Sequence, residues 1–249
     1  MSGSPTSRDD LGTAVELPST VRRVVSLVPS LTESVADSGL LVGATDWCSH
    51  PADLDVERVR GTKNPDVDKV IALQPDLVLA NAEENRPADL EALRAAGLAV
   101  WVTYPRTVPE SLVSLARMLR ACGLDDPGWL GIAEEQWAQP WTGPRRTALI
   151  PIWRRPWMAV GSGTFTGDLL QRLGVDNVLA DHEERYPKVQ LDALPPYQLV
   201  VLPDEPYAFS PDDGPESFQV PSRCVSGRHL TWYGPSLAEA REVLLGQLA

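Results

Sequence analysis

The chain states one plan twice. In the first half, Gly39 is followed seven residues later by Asp46, and further on by Ala72-Leu73-Gln74-Pro75-Asp76-Leu77-Val78-Leu79. In the second half, Gly174 is followed seven residues later by Asp181, and then by Ala193-Leu194-Pro195-Pro196-Tyr197-Gln198-Leu199-Val200-Val201-Leu202. Each copy reads as a helix stopped by Gly, a short strand, a loop, a short helix, a Pro turn and a buried strand. The second copy is compressed in the middle and carries one extra residue after its Pro. Strands alternating with helices call for parallel pairing with covering helices. The repeat therefore predicts two α/β lobes of similar plan, with a cleft between them where a small ligand would sit.

Composition narrows the partners. A length of 249 residues with 43% hydrophobic content is enough for two lobes with real cores. A formal net charge of −12 argues against nucleic acid, whose phosphates need clustered Lys and Arg. Basic residues do pair, as Arg22-Arg23, Arg145-Arg146 and Arg154-Arg155, but form no long block. The three cysteines, Cys48, Cys122 and Cys224, have no metal-ligand spacing, and an odd count suits a reducing compartment. Residues 1–20 hold no basic start followed by an apolar run, and no Cys precedes position 48. No stretch approaches the length of a membrane span. The expectation for the chain as it stands is a cytoplasmic protein.

Punctuation along the chain places the boundaries. Residues 1–20 read as a flexible arm, 21–122 as the N-terminal lobe, 123–146 as a helical connector and 147–249 as the C-terminal lobe. Val21 to Val28 reads as a buried strand, and Ser30-Leu31-Thr32-Glu33 as a capping box that starts a helix at Ser30. Asp66 is placed to cap a short helix, and Gly97 and Gly123 to close two others. Residues 147–152 read as one strand, and Pro235 as the first position of the last helix.

Eight tryptophans against three phenylalanines skew the aromatic load toward rings with a polar handle. Trp101 lies inside a strand and reads as core; Trp129, Trp137 and Trp141 read as packing for the connector. Trp47, Trp153, Trp157 and Trp232 lie near predicted strand ends, and in open α/β sheets the ligand crevice lies outside the carboxyl ends of the strands. They are the candidate ligand contacts. His50, His182 and His229 fall in predicted loops without metal-motif spacing, so no metal site is expected. Gly161-Ser162-Gly163 lacks the Gly-x-Ser-x-Gly pattern of a nucleophile elbow, and no Gly-x-Gly-x-x-Gly follows the first strand. With no catalytic constellation, the expectation is a protein that is not an enzyme and needs no cofactor of its own.

Several stretches resemble a known family. Arg23-Val24-Val25-Ser26-Leu27-Val28-Pro29-Ser30-Leu31-Thr32-Glu33 is similar to the opening of the cobalamin- and siderophore-binding proteins of bacterial ABC importers. Val42-Gly43-Ala44-Thr45-Asp46-Trp47 with Pro51, Gly61 with Asn64-Pro65, and Ile71 to Ala80 continue the likeness. Arg185-Tyr186-Pro187, Glu205-Pro206-Tyr207 and Trp232-Tyr233-Gly234-Pro235 extend it to the second lobe. The resemblance runs from about Val21 to the C-terminus. It implies two Rossmann-like lobes with parallel sheets joined by a single helical connector, and a metal chelate held in the cleft.

The resemblance also implies roles. By resemblance, Trp47 and Trp232 occupy positions where an aromatic side chain faces the ligand, and the full set of expected ligand contacts is Trp47, His50, Trp153, Trp157, Tyr207, Trp232 and Tyr233. Asp68 and Asp192 match the acidic positions that dock with an ABC permease, one on each lobe. Two further aromatic ligand positions of the cobalamin binders fall here on Thr62 and Asn81, so the ligand chemistry is not expected to be identical. A corrinoid, haem or a ferric siderophore is the implied ligand class. For an anionic siderophore, Arg86, Arg106, Arg154, Arg155 and Arg185 are candidate partners. The alternatives are an intracellular enzyme or cofactor-handling protein on the same fold, or a sensor that has lost its ligand.

Overall fold

A computed structural model describes residues 6–125 and 127–249. The chain divides into two compact units: Met1–Pro105 with Ser111–Gly131 and Tyr233–Pro235, and Arg106–Glu110 with Ile132–Trp232 and Ser236–Ala249.

The first unit begins with an antiparallel pair, β1 (Thr6–Arg8) and β2 (Ala14–Glu16). Composition predicts a flexible arm here, but Val15 and Leu17 are buried. The Asp9 carboxylate accepts the backbone N–H groups of Leu11 and Thr13 at 3.0 and 2.8 Å, which closes the turn. Two inward apolar residues and one turn aspartate are enough to order a polar stretch.

Strands β3 (Val24–Ser26), β4 (Leu41–Ala44) and β5 (Glu57–Arg58) are followed by a tight hairpin of β6 (Arg60–Gly61) and β7 (Asn64–Pro65). Then come β8 (Leu77–Asn81) and β9 (Val100–Thr103). The sheet order is β5-β4-β3-β8-β9, and every pairing is parallel. Crossovers use α1 (Pro29–Val35), α2 (Val67–Ala72) and α3 (Pro87–Ala95), and α4 (Val108–Ala121) follows β9. Val25, Leu27, Val78, Ala80, Val100 and Val102 form the core of one sheet face with Leu90 and Leu93 of α3.

Helix starts divide by mechanism. Asp66 caps α2 as its spacing predicts, accepting the Lys69 N–H at 3.1 Å. The Ser30–Glu33 capping box does not form: α1 begins at Pro29, with Val28 as an N-cap lacking any side-chain bond. Proline's fixed φ starts the helix early and puts Ser30 inside it.

The second unit contains most of α5 (Gly128–Ala138), the helix within the expected connector. Its sheet is β13-β10-β14-β15, all parallel, from β10 (Arg146–Leu149), β13 (Val175–Asn177), β14 (Leu199–Pro203) and β15 (Ser222–Val225). This order repeats β4-β3-β8-β9, so the sequence repeat is a structural one. Gly39 and Gly174, at φ 72° and 78°, occupy the left-handed region before β4 and β13.

The unit has one feature without a counterpart. Residues 147–152 do not make a single strand: β10 ends at Leu149, and β11 (Pro151–Arg154) turns away to pair with β12 (Trp157–Ala159). Pro151 has no N–H to continue a ladder, which fits a break there. Helices α6 (Phe165–Gln171), α7 (Gly227–Thr231) and α8 (Leu237–Leu248) complete the unit. Ser236 is the N-cap of α8, so Pro235 stands just outside the helix rather than at its first position.

Candidate functional site

Parallel pairing sends every loop that follows a strand to the carboxyl edge of its sheet. In the first unit, the loop after β4 carries Trp47 and His50. Arg58 fastens it, donating to the carbonyls of Thr45, Cys48 and Leu54 at 3.0, 2.9 and 3.1 Å. Cys48 is its buried pin, with Sγ 3.0 Å from Thr32 Oγ1 and 3.1 Å from Thr45 Oγ1; burial pushes its thiol pKa up. Trp47 is left outside this knot, 68% exposed. A Cβ on Gly61 would lie 3.2 Å from the Trp47 Nε1, so glycine lets the indole rest against the β6–β7 turn. His50 is exposed, its Nδ1 3.2 Å from Ser49 Oγ.

Tyr233, which groups with the first unit, does not share that exposure. It is buried, its hydroxyl 2.5 Å from Asn81 Nδ2 and 2.9 Å from Thr103 Oγ1. Desolvation pushes its pKa up, and the phenol stays neutral. Its polar handle is spent inside the protein.

In the second unit, two carboxyl-edge segments meet: the β11–β12 hairpin after β10, and the loop after β14. Trp153 meets Tyr207 edge to face, with centroids 5.5 Å apart and planes at 82°. Trp157 stacks on Phe209 at 6.0 Å and 4°, and meets Phe218 at 5.3 Å. Tyr207 lies 4.6 Å from Phe209, which joins the two groups into one cluster. Phe209 and Phe218 are buried in the unit's core, whereas Trp153 is 42% exposed. The cluster thus has a fixed base and one indole at the surface.

Arg154 secures the loop to the hairpin. Its guanidinium sits 5.7 Å from the centroid of the Trp157 ring and pairs with Asp213 and Glu216. Asp213 also accepts the Tyr207 hydroxyl at 2.7 Å. The Gly214 N–H and Arg154 hold the Glu216 carboxyl below its usual pKa. Arg154 is therefore committed to two carboxylates, which removes it from the expected set of anion-binding arginines. Arg185 lies 5.9 Å from the Tyr186 ring, and Arg86, Arg106 and Arg155 are exposed.

Trp153, Trp157 and Tyr207 are thus brought together. Trp232, by contrast, is only 8% exposed at the end of α7. His229 is held at both ring nitrogens, by Ser226 Oγ at 2.8 Å and Glu239 Oε1 at 3.0 Å, a link between α7 and α8. His182 Nδ1 accepts the Glu184 N–H at 2.9 Å. Among the described residues no group of three His, Cys, Asp or Glu is placed to hold a metal. Asp68 and Asp192 are exposed in the first turns of α2 and of the 3-10 turn Leu191–Ala193, equivalent places in the two repeats. Phe209, Phe218, Asp213 and Glu216 escape a reading by motif, because their loop looks polar; two of only three phenylalanines falling in it was the available signal.

Comparison with known proteins agrees with this architecture. The periplasmic vitamin B12-binding protein of Vibrio cholerae superimposes with a TM-score of 0.76 at 19% identity, over 92% of this chain and 96% of that one. The two share one fold. A periplasmic haem-binding protein from Roseiflexus sp. RS-1 follows with a TM-score of 0.69 at 16% identity, over 92% of this chain and all of its own. By sequence, a vitamin B12-binding protein of Vibrio cholerae serotype O1 is 23% identical over 187 residues, 71% of this chain and 68% of the relative. The resemblance drawn from the motifs holds, and these relatives are named as binding proteins. No family model matches the chain. Among the described residues no helix is long and apolar enough to cross a membrane.

Proposed function

We propose that the chain is a substrate-binding protein for a bulky metal chelate, a corrinoid, haem or ferric siderophore, which it holds without transforming. The observation that carries this reading is the pair of exposed indoles, Trp47 at 68% on the loop after β4 and Trp153 at 42% on the β11–β12 hairpin. Exposed tryptophan is costly to leave in water, and its flat face suits a planar or macrocyclic ligand at low entropy cost. Relatives named for vitamin B12 and haem supply the ligand class. Titration with cyanocobalamin, haemin and a ferric siderophore, followed by tryptophan fluorescence, is expected to give saturable quenching with one of them. Trp153→Ala should then weaken that ligand about ten-fold, the worth of one ring packed on a ligand face. No response to any of the three would end the chelate reading.

The permease role belongs to the same proposal. Asp68 and Asp192 are both exposed and occupy equivalent places, as a docking pair would. Replacing both with Lys is expected to leave chelate affinity unchanged while abolishing ligand uptake in cells that depend on the protein. Uptake that survives the double substitution would remove these residues from the role.

A further inference from the structure

A recess of about 320 Å³ in the first unit contains none of the candidate ligand contacts or docking residues. It is lined by Ser7, Arg8, Trp101, Arg117, Arg120 and Ala121. Three arginines lining one recess run against a chain whose net charge is −12. Arg117 and Arg120 stand one turn apart on α4, and Arg8 comes from β1.

The three arginines are not equivalent. Arg117 is the fixed one: it pairs with Asp10 at 3.2 Å, donates to the carbonyls of Arg8 and Asp9, and lies 5.7 Å from the centroid of the Trp101 ring. Arg8 donates from Nη1 to the Gly12 carbonyl at 2.7 Å, and Arg120 from Nε to the Ala116 carbonyl at 2.9 Å. These bonds orient both side chains but neutralise neither. Among the described residues neither Arg8 nor Arg120 has an acidic partner.

The indole supplies the independent observation. Trp101 is 1% exposed, and its Nε1–H is buried without a hydrogen-bond partner. A buried donor left unmade is costly, and native interiors satisfy nearly all of them. Here the unmet donor belongs to a side chain that lines a recess walled by cations. An indole N–H and two un-neutralised guanidiniums are all donors; none can accept. Their common complement is an acceptor-only group with several oxygens and negative charge.

We propose that this recess binds a phosphate-type oxyanion, with Arg8 and Arg120 gripping its oxygens and the Trp101 Nε1–H donating to one of them. Occupation would also tie β1 to α4 and β9, which frame the recess. The site is independent of the chelate reading: neither Trp47 nor Trp153 takes part.

The test uses the whole chain in chloride buffer of low ionic strength, where phosphate binding is read by phosphorus NMR line broadening. Inorganic phosphate is one arm and phenyl phosphate the other, to tell a free anion from a phosphate monoester. Saturable broadening in either arm is expected, weakened about ten-fold in Arg120→Gln, the equivalent of one charge-assisted hydrogen bond. Trp101→Phe keeps the ring and deletes only the N–H, and should also weaken binding. Should that variant fail to fold, Arg8→Gln replaces it. Chelate quenching should be unchanged in Arg120→Gln. Absence of saturable binding in both arms, or equal binding by wild type and Arg120→Gln, would overturn the proposal.

Discussion

Gly161→Ala is expected to destabilise the second unit by about 3 kcal/mol, at the upper end for overpacking. A Cβ at this position would lie 2.1 Å from the Glu184 carbonyl oxygen, 3.0 Å from Pro187 Cδ and 3.1 Å from the Arg185 carbonyl oxygen. Two of these atoms are backbone and cannot rotate aside. Relief requires the chain at 184–187 to move, which breaks the bond from the Gly161 N–H to the Arg185 carbonyl at 2.7 Å. The neighbouring bond from Ala159 N–H to the Pro187 carbonyl, at 3.1 Å, lies on the same edge of β12. The damage should therefore reach the hairpin that presents Trp153. Gly163→Ala is the control, since no atom lies within 4 Å of its Cβ and only its φ of +58° opposes the change. It should cost about 1 kcal/mol, the penalty for one residue in the left-handed region. Urea unfolding of both variants decides the matter; equal losses would mean that the close approach at Gly161 relaxes freely.

Trp232→Ala is expected to cost about 3–5 kcal/mol, as for other buried aromatic truncations. The ring is only 8% exposed, so its removal opens a cavity. Trp47→Ala should change stability by less than about 0.5 kcal/mol, because an indole 68% exposed has little burial to lose. Its effect should appear in ligand titration as roughly ten- to a hundred-fold weaker binding. Thermal unfolding and fluorescence titration of the two variants should thus give opposite patterns. If Trp232→Ala unfolds like the parent protein while binding weakens, the ring is a ligand contact despite its burial. A large stability loss in Trp47→Ala would show that its loop depends on the indole.

These two tryptophans show where reading by pattern stops. Both follow a strand-like run and both match an aromatic position of the resembled family. Position in the chain says that each stands near a strand end; it does not say how many other residues close over it. The Arg58 clamp leaves Trp47 outside, while Trp232, at the end of α7, is buried. Tyr233 makes the same point, because its hydroxyl is met by Asn81 and Thr103, each more than a hundred residues away in sequence.

Local signals were strongest where one residue's own chemistry settles the backbone. Gly39, Gly97, Gly123 and Gly174 each end an element at positive φ, and Asp66 caps the helix it precedes. Apolar runs alternating with helical stretches implied parallel strands, and the duplicated plan implied two lobes of similar build, which the orders β4-β3-β8-β9 and β13-β10-β14-β15 repeat. Those features depend on periodicity and on steric limits within a few residues, so the sequence by itself determined them. The tertiary structure alone decided which rings are base and which are surface, that Arg154 is spent on Asp213 and Glu216, and that Arg8, Arg120 and Trp101 share one recess. Burial and charge pairing are sums over neighbours distant in the chain, and only folding brings those neighbours together.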